Sequence, residues 1–176
     1  SDVYKRQVSR IKKPRLLRFF LFQFHINMFP RNFSAIHMYH QCLDLEDSSS
    51  FPSTVLAVSN LEKEIAKKML KEYGVNNQFV ASVPGAAWER KQWSVEKYSE
   101  VINKIVSYQN VSVVMLGSDR DEINDYISKL NNNVINLSGK TNLRQAMSVL
   151  SLSKVVFGSD TGLLHIAEAL GITVNM

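Results

Sequence analysis

The sequence predicts an α/β domain with a doubly wound parallel sheet over residues 54–176. From residue 54 onward, short β-branched runs alternate with amphipathic helical stretches. Strands that are separated by single helices imply right-handed crossovers and a parallel sheet. One run, VSVVML at 111–116, is almost wholly apolar, as expected of a strand that is buried on both faces.

Each predicted element has its own sequence signal. Ser59 and Glu62 have the spacing of a capping box, and Gly74 marks the carboxyl end of the helix that they begin. A second helix, over 94–109, places its apolar residues on one face: Val95, Tyr98, Val101, Ile102, Ile105 and Val106. Further helices are predicted over 119–130, over 142–151 and within 157–171. The predicted strands cover 54–58, 78–83, 111–116, 134–137, 154–157 and 172–175.

The composition is that of a globular protein, and its positive charge is local. Hydrophobic residues make up 45% of the 176-residue chain, which has room for one full domain or for one domain and part of another. Residues 1–20 carry seven Lys and Arg against Asp2 alone, a net +6, whereas the whole chain is +5. Because the rest sums to −1, the domain has no basic face of the kind that tracks a nucleic-acid backbone. The single cysteine, Cys42, cannot form an internal disulfide and fits a reducing compartment.

The first part of the chain is interpreted apart from the domain. Residues 1–7, SDVYKRQ, resemble a translated sequencing adapter and are left out of fold reasoning. The apolar run LLRFFLFQF (16–24) is too short to span a bilayer. It is either a strand or helix from the edge of a domain or a basic, aromatic surface that lies against anionic lipid. A helix is predicted over 32–45, and residues 44–53 have the composition of a linker.

Four loops follow predicted strands, and ligands of such folds bind at the carboxyl ends of the strands. The loops are PGAAWERKQW (84–93), GSDRDE (117–122), SGKTN (138–142) and GSDTGLLH (158–165). Two nucleotide motifs are absent from the sequence. There is no G-x-G-x-x-G, and Val134 stands where a P-loop ending at Gly139 would need its first glycine. His37 and His40 form only a weak pair that is interpreted as helix surface, so no metal site is predicted.

The loop before the last helix has the features of an anion site. A helix amino terminus exposes unpaired backbone N–H groups and carries a partial positive charge. Thr161 can cap the helix or donate its hydroxyl, and Gly162 lets a phosphate approach the backbone closely. The alternative is that Asp160 and Thr161 are helix caps alone. The local sequence gives the two interpretations equal weight.

In order and spacing, the four loops resemble the signatures of glycosyltransferase family 9, the heptosyltransferases of the lipopolysaccharide inner core. VPGAAWERKQW (83–93) is similar to the family's Pro-Gly-Ala…Lys-x-Trp loop, and VVMLGSDRDE (113–122) to its strand and Gly-acidic turn. LSGKTNL (137–143) and GSDTGLLHIAEALG (158–171) resemble the other two signatures, of which the last is the most specific. The resemblance covers about residues 80–174. It implies the carboxyl-terminal, Rossmann-like, nucleotide-sugar-binding domain of a GT-B enzyme.

The resemblance implies a role for each matching residue around the diphosphate. Lys91 is the implied catalytic residue, because its ammonium would face the donor diphosphate or the charge that develops on it. Thr161 and Gly162 would hold the diphosphate at the helix start. Asp160 would hydrogen-bond sugar hydroxyls, and His165 would support the phosphate side.

The same resemblance implies residues around the nucleoside. Asp121 would meet the ribose, and the backbone at Lys140 and Thr141 would border the base. Gly85 and Ala86 would complete the donor-binding set. Ala86 and Ala87 also depart from the family pattern, since they offer no hydroxyl where some relatives have one. Plainer interpretations exist for two of these positions: Lys91 as a solvated loop charge and Asp121 as an acid at a helix amino terminus.

The resemblance also divides the chain into domains. Residues 1–53 are expected to be a remnant of the family's amino-terminal domain and the interdomain linker, since HMYHQCLDL (37–45) resembles the segment that joins the two. Residues 54–176 would be the nucleotide-sugar-binding domain, truncated at its carboxyl end. In this family the amino-terminal domain carries the acceptor site and the carboxylate expected to act as general base. The chain is therefore expected to be a fragment that is inactive alone.

The function implied is transfer of heptose from ADP-heptose to the lipopolysaccharide inner core. The implied partners are the nucleotide sugar and a core precursor at the cytoplasmic face of the inner membrane, with no nucleic acid. No cofactor or metal is expected, because Lys91 and the helix start would offset the charge of the leaving diphosphate. Two alternatives stay open: a GT-B transferase with a different nucleotide-sugar donor, and a non-enzymatic nucleotide- or nucleic-acid-binding module with a basic arm.

Overall fold

A computed structural model of the protein describes residues 13–31, 33–34, 38–39, 54–109 and 111–176. The chain separates into two compact units, Ser1–Ser53 and Thr54–Met176. In the first unit, the helix α1 (Arg15–Phe24) includes the apolar run of the sequence. Its side chains Leu16, Phe19 and Phe22 are exposed. Most of the helix predicted over 32–45 lies outside the described residues.

The second unit is built on a five-stranded parallel sheet. Its strands are β1 (Phe79–Val83), β2 (Ser112–Met115), β3 (Val134–Asn136), β4 (Val156–Gly158) and β5 (Val174–Asn175). Every neighbouring pair is parallel, and the spatial order is β3-β2-β1-β4-β5. The chain builds outward from β1 to β3 and then returns to the other side of β1. The strand order therefore reverses between β1 and β4, which confirms the predicted doubly wound α/β fold.

Helices cover both faces of this sheet. They are α2 (Asn60–Glu72), α3 (Val95–Gln109), α4 (Glu122–Leu130), α5 (Leu143–Leu150) and α6 (Gly162–Ala169). Side chains from α3 and α4 form one apolar cluster with Val113 and Met115 of β2. Side chains from α2, α5 and α6 form another with Val114 of the same strand. Because successive strand residues point to opposite faces, the wholly apolar β2 contributes to both clusters.

The prediction of a strand over residues 54–58 is wrong. These residues form no strand, and Val55 is largely exposed. The backbone N–H of Leu56 donates to the carbonyl of Ala169 at the end of α6, at 2.8 Å. The β-branched residues of this run favour extended backbone, but the segment is bonded to the end of a helix rather than to a strand of the sheet.

Two capping boxes fix the starts of α2 and α5. The predicted box at α2 is confirmed, since the N–H of Glu62 donates to Ser59 Oγ and the N–H of Ser59 donates to Glu62 Oε2. Asn142 and Gln145 form the equivalent pair at α5. Arg144, also on α5, donates to Glu62 Oε1 from Nε at 2.8 Å and from Nη2 at 2.6 Å. The carboxylate of Glu62 thus caps one helix and ties it to another.

Replacing Glu62 by Gln should lower stability in a pH-dependent way. Hydrogen bonds from Ser59, with a further contribution from Arg144, lower the pKa of Glu62 from 4.5 to about 2. A carboxyl whose pKa is lowered by folding contributes fully above its unfolded-state pKa, and the contribution fades as the pH falls toward the folded-state value. Urea midpoints of wild type and Glu62→Gln should therefore differ most near neutral pH and converge as the pH falls below 4.5.

Asn142→Ala provides the matched control, because the Asn142–Gln145 box contains no titratable group. Its cost, about 1 kcal/mol for the loss of a cap, should not vary over the same pH range. If the Glu62→Gln difference were equally constant, the ionised carboxylate would contribute nothing to the stability of the α2–α5 pair.

Candidate functional site

A cavity of about 320 Å³ opens at the carboxyl edge of the sheet. It lies where the strand order reverses, between the loop after β1 and the loop after β4, which is where doubly wound folds bind their ligands. The structure brings five of the predicted site residues together in its wall: Gly85, Ala86, Asp121, Thr161 and Gly162. They come from three loops that are far apart in the sequence.

Asp121 packs tightly against the backbone of its own loop and of the loop after β1. Its Oδ2 accepts hydrogen bonds from the N–H of Ser118 at 2.6 Å and from Ser118 Oγ at 3.0 Å. A Cβ at Gly85 would overlap the Asp121 carboxyl group, and one at Gly117 would lie 2.7 Å from Oδ2. Only glycine fits at these two positions without moving the carboxylate. No described residue hydrogen-bonds Asp121 Oδ1, so that oxygen can accept from a ligand hydroxyl.

The start of α6 lies at the cavity wall and has backbone N–H groups without partners inside the helix. Thr161 is the N-cap residue, with extended backbone, but its hydroxyl makes no capping hydrogen bond. The first amides that bond back into the helix are those of Leu164 and His165, both to the carbonyl of Thr161. Gly162 and Leu163, the two residues before them, line the cavity. Their amides and the free hydroxyl form a donor set that suits an anion.

Neither the backbone torsion nor the packing at residue 162 requires a glycine. Its backbone torsion φ is not in the left-handed region, and a Cβ built there meets nothing within 4 Å. The space beside it belongs to the cavity. A side chain at residue 162 would therefore project into open space and not into the protein.

Lys91, Asp160 and His165 form a polar cluster beside the cavity. Lys91 lies in the 3₁₀ turn Glu89–Lys91, and its Nζ donates to Asp160 Oδ2 at 2.6 Å. His165 Nε2 lies 3.1 Å from Asp160 Oδ1, and its Nδ1 lies 3.9 Å from Glu168 Oε2. The hydrogen bond and charge of Lys91, with a smaller effect of His165, lower the pKa of Asp160. All three side chains are about half exposed, so they are open to solvent.

This cluster bears on the capping interpretation of residues 160 and 161. The side chain of Asp160 bonds to Lys91 and His165, and Thr161 makes no capping bond. Capping by these side chains therefore does not explain the Asp-Thr-Gly sequence. None of Lys91, Asp160 and His165 lines the cavity itself.

Lys140 and Thr141 are not brought to the cavity. Lys140 Nζ donates to the carbonyl of Asn136 and lies 5.2 Å from the centre of the Tyr73 ring. Leu143, the first residue of α5, lines the cavity instead. The role of residues 140 and 141 at the base stays a prediction.

Sequence reasoning missed the residues that hold the loops. Ser118 binds Asp121, and Gln92 Nε2 donates to the carbonyl of Ala86 at 2.9 Å. The Ser-x-x-Asp spacing of 118–121 is a local signal for the first contact. Nothing in the sequence indicates the second contact, because a loop conformation decides it.

Within the described ranges, no group of three or more His, Cys, Asp or Glu side chains is placed to hold a metal ion. None of the described helices combines the length and apolar character that a bilayer crossing requires.

Comparison with protein families matches residues 18–174 to glycosyltransferase family 9 (heptosyltransferase). The match extends over most of the chain and includes all four loops at the carboxyl edge. The chain belongs to glycosyltransferase family 9.

Individual relatives of this family 9 chain agree with the match. It is 29% identical over 124 residues to lipopolysaccharide heptosyltransferase 2 of Salmonella typhimurium, covering 65% of this chain and 34% of the relative. The structure of E. coli ADP-heptose lps heptosyltransferase II aligns with a TM-score of 0.63 and 26% identity, covering 76% of this chain and 41% of that one.

A second solved structure shares the fold. E. coli heptosyltransferase WaaC with ADP-2-deoxy-2-fluoro heptose aligns with a TM-score of 0.58 and 19% identity, covering 82% of this chain and 45% of that chain. The family 9 chain spans about a third of the length of the curated relatives it matches.

Gly85→Ala should destabilise the protein through Asp121. The added methyl group overlaps the carboxylate, and overpacking of this kind costs about 1–3 kcal/mol. In an Asp121→Ala background the same change should cost much less, so a double-mutant cycle by urea denaturation should show coupling. Gly162→Ala is the control, because its methyl group meets nothing and alanine favours the helix. Equal costs of Gly85→Ala in both backgrounds would contradict the packing described here.

Proposed function

We propose that this family 9 protein transfers heptose from ADP-heptose to the lipopolysaccharide inner core, and that residues 54–176 form its donor-binding domain. The cavity at the strand-order reversal carries the proposal. It combines a carboxylate, Asp121, with the donor groups at the start of α6. Residues 1–53 would belong to the acceptor-side domain and the linker.

The cavity wall suits the two ends of a nucleoside diphosphate. Asp121 Oδ1 can accept from the ribose hydroxyls, while Thr161 and the amides of Gly162 and Leu163 can donate to the diphosphate. The family match and the ADP-sugar bound to the WaaC structure favour ADP-heptose as the donor. A GT-B transferase that uses another nucleotide sugar would place similar groups here, so the base and sugar are the points to test.

Electrostatics at the leaving group would drive the reaction. Glycosyl transfer develops positive charge on the sugar and negative charge on the departing diphosphate, which preorganised donors stabilise. Lys91 Nζ is bonded to Asp160, the residue that precedes Thr161. We propose that its ammonium turns from Asp160 to the diphosphate when the donor binds. Asp160 would then accept hydrogen bonds from the sugar hydroxyls, with His165 on the phosphate side. The proposal needs no resident cofactor or metal.

The acceptor would place the enzyme at the cytoplasmic face of the inner membrane. Lipopolysaccharide core precursors are lipids, and α1 presents Phe19 and Phe22 to solvent with Arg15 and Arg18 in the same helix. Such a basic, aromatic helix suits the interface of an anionic bilayer. No nucleic-acid partner is proposed.

Calorimetric titration with ADP and UDP tests the donor site. The chain should bind ADP more tightly than UDP, and Lys91→Ala should weaken ADP binding by about tenfold or more, as expected for loss of a charged hydrogen bond. Lys91→Arg should recover part of the affinity, because a planar guanidinium does not replace a point charge. Lys67→Ala, which removes an ammonium paired with Glu64 on the remote helix α2, is the control.

Three outcomes would separate the alternatives. Tighter binding of UDP would indicate a different nucleotide-sugar donor. Absence of ADP binding would overturn the proposed donor domain. If Lys91→Ala bound ADP as tightly as wild type, Lys91 would be a solvated loop charge with no role in donor binding.

A further inference from the structure

We propose that Ser159 and Tyr98 are positioning residues that set the distance between two of the loops of the donor cavity, the loop after β1 and the loop after β4. The proposal rests on the proposed function, because it concerns how the cavity receives its ligand. Neither residue lines the cavity, so both would act through the loops that do.

Ser159 joins the loops immediately beyond the end of the sheet. The last paired residues of β1 and β4 are Val83 and Gly158. One residue further on, the N–H of Ser159 donates to the carbonyl of Val83 at 3.1 Å, and Ser159 Oγ donates to the carbonyl of Pro84 at 2.7 Å. Pro84 directly precedes Gly85 of the cavity wall, and Ser159 is two residues before Thr161. The serine therefore bridges the two chains where they leave the sheet.

Tyr98 completes this link from α3. Its hydroxyl lies 2.9 Å from Ser159 Oγ. A carbonyl oxygen only accepts, so the single proton of Ser159 goes to Pro84 and Tyr98 must donate to the serine oxygen. The bonds thus run in one direction, from Tyr98 through Ser159 to Pro84. Burial raises the pKa of Tyr98, which keeps the hydroxyl protonated as this donor role requires.

The surroundings of this link leave it little freedom. Tyr98 is 1% exposed and Ser159 5% exposed. The Tyr98 ring contacts the rings of Trp93 and Phe157, with centroids 5.5 Å and 6.3 Å away. Gly158, the residue before Ser159, is also closely packed, because a Cβ there would overlap the carbonyl oxygen of Val83. The two loops therefore meet at a fixed distance before either reaches the cavity.

The sheet does not need these hydroxyl groups for its own pairing. β1 and β4 are joined by backbone hydrogen bonds from Ala81 to Val83, and neither hydroxyl takes part in that ladder. The hydrogen bond of the Ser159 hydroxyl lies beyond this ladder. Without it, each loop could move independently of the other. A ligand that bonds to both loops depends on that separation.

Ser153 provides a matched control at the other end of β4. Its hydroxyl is also buried and donates to a backbone carbonyl, that of Leu150, at 2.8 Å. Ser159→Ala and Ser153→Ala therefore delete the same chemical group from similar surroundings. Only the first deletion touches the loops of the cavity.

ADP titration and urea denaturation of both variants test the proposal. Ser159→Ala should weaken ADP binding by about fivefold, because ADP would then have to restore the loop spacing that this hydrogen bond within the protein maintained, whereas Ser153→Ala should leave ADP affinity unchanged. Both variants should lose stability. Tyr98→Phe should weaken ADP binding less than Ser159→Ala, because the bond from Ser159 to Pro84 stays in place. Wild-type ADP affinity in Ser159→Ala would overturn the proposal.

A ligand-free measurement separates this proposal from the proposed function. ¹⁵N relaxation should show lower order parameters at Gly85 and Thr161 in Ser159→Ala than in wild type, with no such change in Ser153→Ala. If wild type does not bind ADP, the proposed function is wrong. The order parameters would still show whether Ser159 holds the two loops together, because they are measured without ligand. Unchanged order parameters at both positions would show that Ser159 does not position them.

Discussion

The pairing of β1 with β4 is the constraint on which the candidate site depends. These strands are neighbours in the sheet although α3, β2, α4, β3 and α5 separate them in the sequence. Because the chain leaves β1 toward one side and leaves β4 toward the other, their loops diverge and leave a crevice. The register of Val83 with Gly158 then brings the Pro-Gly-Ala loop opposite the Ser-Asp-Thr-Gly loop. Residues about 75 apart in sequence, such as Gly85 and Thr161, meet in one cavity for that reason.

Close backbone approach shapes the crevice as much as its polar groups do. Gly85 and Gly117 admit the Asp121 carboxylate, and Gly158 admits the carbonyl of Val83. At Gly162 the absence of a side chain serves no contact within the protein. Three of these glycines are thus explained by packing, whereas Gly162 lines the cavity and has open space where a side chain would stand. This difference supports the proposal that the start of α6 binds the donor.

Charge around the crevice is arranged as exposed pairs and not as a buried centre. Lys91 and His165 both contact Asp160, and all three side chains are open to solvent. An exposed ion pair contributes little to stability, so its members can exchange partners at small cost. A diphosphate bonded to the start of α6 would offer Lys91 a more highly charged partner than Asp160 alone. The same exposure makes these residues poor determinants of the fold, which the two apolar clusters maintain.

The sequence predicted the fold well because the spacing of its apolar residues agrees with the burial found in the structure. β2 is apolar on both faces, α3 has one apolar face and α2 has a capping box, and each of these local signals matches the structure. Residues 54–58 show where propensity fails, since extended backbone becomes a strand only if a neighbour pairs with it. In the site, motif order placed Gly85, Asp121 and Thr161 near one another. It could not predict the Lys91–Asp160 pair or the Tyr98–Ser159 contact, because these depend on side-chain directions in the folded chain.

A ¹H–¹⁵N correlation spectrum of the wild-type chain, titrated with ADP, tests the central claim most directly. That claim is that the crevice between the β1 and β4 loops holds the nucleoside diphosphate. The amides of Gly85, Ala86, Thr161 and Gly162 should show the largest shifts and should saturate along a single binding curve. Amides at the opposite edge of the sheet, such as those of Asn76 and Ser153, should stay in place. Saturable shifts centred on another surface, or shifts that never saturate, would contradict the account.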